Sequence, residues 1–236
     1  MSEDAAETMT AAATLWGSYL QAEARAPRNA KMAALVSFLD ALPADTDDWH
    51  PWARDLARRV VDEGADFTIR MPLFERAVFP ALIAGHRRGL PGCSRWLAGL
   101  AQHLYRSGAC REQLPPDERT ELGLLRAAVR QDPDDHDSRR RLVEHLAGHL
   151  RHSLHELPAG VLYGMDGATP EQCVELEQER DEFRALVAGT NHGAVYNELV
   201  EQCDLHFPAY RDYLLNRETY TSYEDYLARK EPGGQR

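Results

Sequence analysis

At 236 residues, with 43% of them hydrophobic, the chain is long enough to bury a core without disulfide or metal staples. A formal net charge of −11, from 27 basic and 38 acidic residues, excludes a surface built to hold duplex nucleic acid, which needs a basic stripe. Four scattered cysteines, Cys93, Cys110, Cys173 and Cys203, have no paired spacing and exclude a zinc ribbon or thioredoxin-like motif, and no run approaches the roughly 18 apolar residues of a membrane span.

The first residues, Met1 to Glu7, are acidic and lack the positive start and apolar run of a signal peptide, so the cytoplasm is the expected compartment. From there the apolar spacing is helical throughout, and no segment shows the alternating β-branched pattern of a strand. Prolines open the helices and glycines close them. Pro27, Pro51, Pro72, Pro91, Pro116 and Pro170 fit first-turn positions, while Gly64, Gly89, Gly108 and Gly189 sit where helices should stop. The expected helices run 4–25, 28–42, 48–63, 72–88, 92–107, 117–131, 136–157, 170–188, 192–204, 208–217 and 222–230. Pro80 predicts a kink in the fourth, because its ring meets the carbonyl four residues earlier. Thr169 with Gln172 has the form of a capping box, and Ser222 with Asp225 a weaker version.

These marks predict an all-α fold of stacked antiparallel helix hairpins, either α-solenoid-like or a compact multi-helix bundle. The expected organisation is one domain over 1–230: N-terminal helices 4–63, hairpins 72–107 and 117–157, a loop at 158–168, C-terminal helices 170–230, and a disordered tail at 231–236. Residues 95–107 and 141–153 share Arg, Leu, Ala, His, Leu and Ser at an offset of 46, which predicts two related hairpins. Across Leu125 to Asp135, with Asp132-Pro133 at its end and Leu142, Leu146 and Ala147 beyond, the chain resembles the junction between two tetratricopeptide repeats. The resemblance covers about 25 residues and implies a helix-hairpin scaffold that binds proteins or peptides.

Three groups of side chains are candidates for function. His145, His149, His152 and Glu156 follow an i, i+4, i+7, i+11 pattern on one helix face, with His155 beside them, opposite the stripe of Leu142, Leu146, Leu150 and Leu154. The helix lacks the His-Glu-x-x-His arrangement of a catalytic zinc site, so neither metal nor cofactor is expected. The loop after it carries Gly160, Gly164 and Gly167 around Tyr163 and is read as a structural plug; the sharper alternative has Tyr163 and Asp166 line a polar pocket with His155 and Glu156. The tyrosines at 196, 210, 213, 220, 223 and 226, with Phe207, are read as rim-of-core packing. The Arg139 to Arg141 run is nearly cancelled by Asp132, Asp134, Asp135 and Asp137, as on a solvated face.

The expected function is a non-enzymatic helical interaction module, such as an acidic antagonist, immunity-type protein or adaptor, that binds a basic protein or peptide partner and neither duplex nucleic acid nor membrane. The binding candidates are His149, His152, His155, Glu156, Tyr163 and Asp166. The competing class is a small hydrolase or metal-dependent enzyme using the 145–156 helix and the 158–168 loop.

Overall fold

In the computed structural model, residues 3–43, 48–157, 169–188 and 193–230 are described, and they hold helices and turns with no strand among them. The all-α expectation is met. The chain divides into two compact units, Met1–Ser138 and Arg139–Arg236.

The first unit opens with α1 (Glu3–Arg25) packed along α2 (Arg28–Asp40), followed by α3 (His50–Val61). Trp16 lies at the centre of an aromatic group, with ring centroids 5.0 to 5.5 Å from those of Tyr19, Phe38, Trp52 and Phe67. Beside it Arg70 donates to Glu23 at 2.6 Å, tying the end of α1 to the segment before α4 (Met71–Leu73). That hydrogen bond holds the Glu23 carboxyl below the usual carboxylate range.

The region around Pro80 forms an irregular helix. α4 runs into a π turn (Phe74–Val78) and then α5 (Phe79–Arg87), with the Phe79 N–H reaching back to the Phe74 carbonyl. The π turn stands immediately ahead of the proline, where the α ladder would in any case lack a donor. α6 (Cys93–Gly99) packs against α5 and against α9 (Glu121–Gln131). The helix expected over 92–107 is broken at Leu100, whose ψ of 17° ends α6 before α7 (Ala101–Arg106) begins. Gly108 does not stop that helix but opens α8 (Gly108–Arg111). A 3₁₀ turn at Pro116–Glu118 then leads to α9, capped by the Thr120 hydroxyl accepting from Gly123 N.

α10 (His136–Glu156) begins in the first unit and continues in the second, where α11 (Pro170–Val187) and α12 (Gly193–Leu215) form an antiparallel pair. The Thr169 and Gln172 capping box is present as expected. Two helices expected at 192–204 and 208–217 are one, with Pro208 inside. A proline inside a helix costs about 3 kcal/mol, from the missing ladder bond and the clash of its ring together. The buried stripe Cys203, Phe207, Tyr210 and Tyr213 runs unbroken through that point and outweighs the loss.

α13 (Tyr223–Lys230) is held on α12 by tyrosines, as the sequence suggests. Tyr223 and Tyr210 have centroids 5.0 Å apart, the Tyr226 hydroxyl donates to Asp212 at 2.7 Å, and the Tyr223 hydroxyl lies 3.0 Å from His206 Nδ1. Burial raises the Tyr210 and Tyr223 hydroxyls and lowers His206.

The matched stretches 95–107 and 141–153 are built differently. The first spans the break at Leu100 and the second lies inside an unbroken α10. His103 Nε2 is 2.7 Å from the Ile69 carbonyl, its ring 4.9 Å from that of Phe74, whereas His149 faces a carboxylate on α11. The match therefore marks no structural equivalence.

All four cysteines are buried, and burial pushes the thiols of Cys93 and Cys173 up to about 11 and Cys203 up to about 12. A thiol reagent at pH 8 is expected to find no reactive group in the folded protein and four after denaturation. A fast-reacting thiol in the native state would contradict this burial.

Candidate functional site

The polar cleft of the first unit is built from two local sequences. The first is Pro91-Gly92, a turn dipeptide ahead of α6. Gly92 adopts φ 79°, a left-handed conformation that glycine takes without strain, and its missing side chain lets the Trp96 indole lie against the backbone. A Cβ at that position would stand 2.6 Å from Trp96 Cζ2.

The second is Asp132 to Asp137, which joins α9 to α10. Asp132 Oδ1 accepts from the Asp134 N–H at 3.3 Å, an aspartate turn that reverses the chain. Asp135 is the N-cap of α10: its Oδ1 accepts from the N–H groups of Asp137 at 3.1 Å and Ser138 at 3.2 Å, and its Oδ2 from the Ser138 hydroxyl at 2.6 Å.

Arg95 fastens the two together. Its Nε and Nη2 fork onto Asp62 at 3.2 and 2.8 Å, and its Nη1 bonds Asp135. The Trp96 Nε1–H donates to the same Asp62 carboxylate at 2.7 Å. Burial opposes ionisation of Asp135, but its bonds from Ser138 and the Arg95 charge outweigh that and hold the carboxyl below the usual range. Burial likewise opposes the charge on Arg95, while Asp62 and Asp135 raise its guanidinium above the ordinary value.

Between these walls lies a cleft of about 570 Å³, lined by Trp96, Arg95, Asp132, Asp134, Asp135 and Asp137 with Pro91, Gly92 and His136. Four carboxylates face one guanidinium that is already committed to Asp62 and Asp135. Asp134 and His136 are exposed. The arrangement suits a cation: a guanidinium or ammonium gains carboxylate partners and an aromatic wall.

The residues singled out from sequence lie elsewhere, in the second unit. His149 Nδ1 is 2.6 Å from Glu179 Oε2 on α11, so this histidine is engaged within the fold. His152 is exposed, and His155, 84% exposed, stands 4.0 Å from Glu156. Tyr163 and Asp166 lie outside the described residues, as does the tail at 231–236. Among the described residues no three His, Cys, Asp or Glu side chains converge as a metal would require.

A buried serine, histidine and glutamate also meet in the first unit. His86 Nδ1 is 2.9 Å from Ser94 Oγ, and His86 Nε2 is 2.9 Å from Glu118 Oε2. The residue types are those of an acyl-transfer triad, but Ser94 is 2% exposed and its hydroxyl donates to Gln131 Oε1 at 2.6 Å rather than to the histidine. The group is not set up for nucleophilic attack.

Sequence reading missed the cleft because Asp62 and Arg95 are 33 residues apart, and Arg95 and Asp135 are 40 apart. The signal present was local: a Pro-Gly turn before a tryptophan and an aspartate run around a proline. No protein-family model matches the chain, and neither a curated protein nor a solved structure matches it significantly.

Proposed function

We propose that the protein is a non-enzymatic interaction module that captures a basic segment of a partner protein, with the acidic cleft of the first unit as its docking point. The observation that carries this reading is the cleft of about 570 Å³ in which four aspartates face a single internally paired arginine beside Trp96. The net charge of −11 steers a basic partner towards it. The tetratricopeptide-like junction at Asp132-Pro133, which forms one lip of the cleft, agrees with a scaffold role in the cytoplasm. No described helix is long and apolar enough to cross a membrane. The enzyme reading has less support, since His149 is engaged by Glu179 and His155 projects into solvent.

A short arginine-rich peptide, followed by intrinsic tryptophan fluorescence, tests the proposal. The expected result is saturable binding that weakens steeply between about 10 and about 150 mM salt. Asp132→Asn with Asp134→Asn keeps the backbone turn, because asparagine still offers the Oδ1 acceptor, and should weaken binding about tenfold, or about 1.4 kcal/mol. Binding that ignores both salt and the double substitution would refute the assignment.

A further inference from the structure

α13 has 8 residues, too few to hold a helix in water alone, so it is helical because it lies on α12. The short 3₁₀ turn Arg217–Thr219 joins the two. Two tyrosines make the contact. Tyr223 and Tyr226 are 3% and 4% exposed, and they cover Tyr210 and Tyr213. The Tyr223 centroid is 5.0 and 5.7 Å from those two rings, and that of Tyr226 is 6.1 Å from Tyr213.

The polar end of this contact is His206. The Tyr223 ring stands 6.1 Å from the imidazole, with its hydroxyl 3.0 Å from Nδ1 and 3.3 Å from the His206 carbonyl. A hydroxyl has both a proton and lone pairs, so it meets Nδ1 whether or not that nitrogen carries a proton. The hydrogen bond does not choose a protonation state. Solvation does, because docked Tyr223 takes water from the ring and, among the described residues, no carboxylate bonds to it in exchange. We propose that α13 is a proton-sensitive cover on α12: uptake of a proton by His206 favours its release, which bares the rings of Tyr210 and Tyr213.

The carboxylates around this contact are each matched by another cation. From α11, Glu177 pairs with Arg211 at 3.1 Å, and Cys173 stays a neutral thiol because burial pushes it up to about 11. From α13, Asp225 holds Arg229 at 2.8 Å, while Lys230 reaches Asp212 of α12 at 3.1 Å. Asp204, on α12 itself, pairs with Arg180 and Arg184. Arg217 of the turn stands near Tyr210, and Arg151 of α10 lies over Tyr196 towards the start of α12. Glu171, Glu175 and Glu224 are exposed. Burial lowers His206 from its ordinary value of 6.5, which the released, hydrated ring regains. Docking is therefore fully supported above about pH 6.5 and loses support as pH falls towards the docked value. Asp212 and Asp225 are held below the usual carboxylate range and titrate below that window.

Amide exchange of the full chain against pH, corrected for the intrinsic rate, tests the cover, with the His206 titration followed by NMR. Opening of the α13 amides should increase as pH falls below about 6.5, by at most about tenfold per pH unit, the limit for one proton. The amides of α11 should not follow. His206→Asn places an amide near the position of Nδ1 and should leave α13 protection level across the same range. Tyr223→Phe keeps the ring over His206 but removes the hydroxyl, so opening should rise about fivefold at every pH, as for one lost hydrogen bond, with the slope retained. If His206→Asn does not fold, the native chain still decides the matter through α13, α11 and the His206 titration. A slope that survives His206→Asn, level α13 protection in the native chain, parallel opening of α11, or a His206 that titrates at or above 6.5 would each overturn the proposal.

Discussion

Gly123→Ala is expected to lower the stability of the first unit by about 2 kcal/mol, although alanine is the better helix former. Gly123 is the third residue of α9, and its N–H donates to the Thr120 cap at 3.1 Å. A Cβ there would overlap the Asp117 carbonyl oxygen and stand 2.9 Å from Asp117 C and 3.0 Å from Glu118 Cα. All three are backbone atoms of the Pro116–Glu118 turn, which Glu118 ties to Arg130, so no side-chain rotation relieves the overlap. Gly17→Ala is the control. It lies within α1 with nothing inside 4 Å of the added carbon, and should stabilise by about 0.5 to 1 kcal/mol. All four tryptophans, Trp16, Trp49, Trp52 and Trp96, belong to the first unit, so urea unfolding followed by their fluorescence reads both variants in the same transition. Two variants moving the midpoint in the same direction would deny the close approach of the turn to α9.

Arg95→Met should cost about 3 kcal/mol at pH 7, because it keeps much of the side-chain volume but leaves Asp62 and Asp135 buried without their shared cation. The three side chains are 11%, 15% and 14% exposed, so solvent screens them little. The loss should depend on pH in a defined sense. Asp135 is held below the ordinary carboxylate value in the folded protein, so it contributes stability above its unfolded value of about 3.9 and loses it as pH falls through the folded value. The gap between native protein and variant should be full at pH 7 and narrow below about pH 4, where protonation weakens the native pairing and relieves the variant. Parallel denaturation curves at the two pH values measure it. A gap that stays constant would assign the effect to the packing of the arginine stem.

The contrast between these positions shows which information was local. Helix starts at Pro51, Pro72 and Pro170 and the capping at Thr169 were legible because they depend on φ, on a missing N–H and on side chains three residues apart. Pro208 misled, since propensity alone ends a helix there while burial of Phe207 and Tyr210 across the proline carries it on. The break at Leu100 left no mark in the apolar spacing. Within the aspartate run, Asp135 pairs with Arg95, whose spacing along the chain announces nothing. His149 was placed on a polar face correctly, but its phase on α10 could not show that Glu179 would stand opposite.

The π turn before Pro80 makes this rod tolerant of a change in length that a plain helix would not survive. A turn closed from Phe79 back to Phe74 holds one residue more than an α turn does. Deleting the exposed Glu75 or Arg76 would let the same bond close as an α turn, at the cost of bringing the Pro80 ring against the carbonyl four residues earlier. The helix beyond would keep its phase, so Leu82 and Ile83 would stay in the core and His86 beside Ser94. The same single-codon deletion inside the regular α9 would turn everything after it by about 100°.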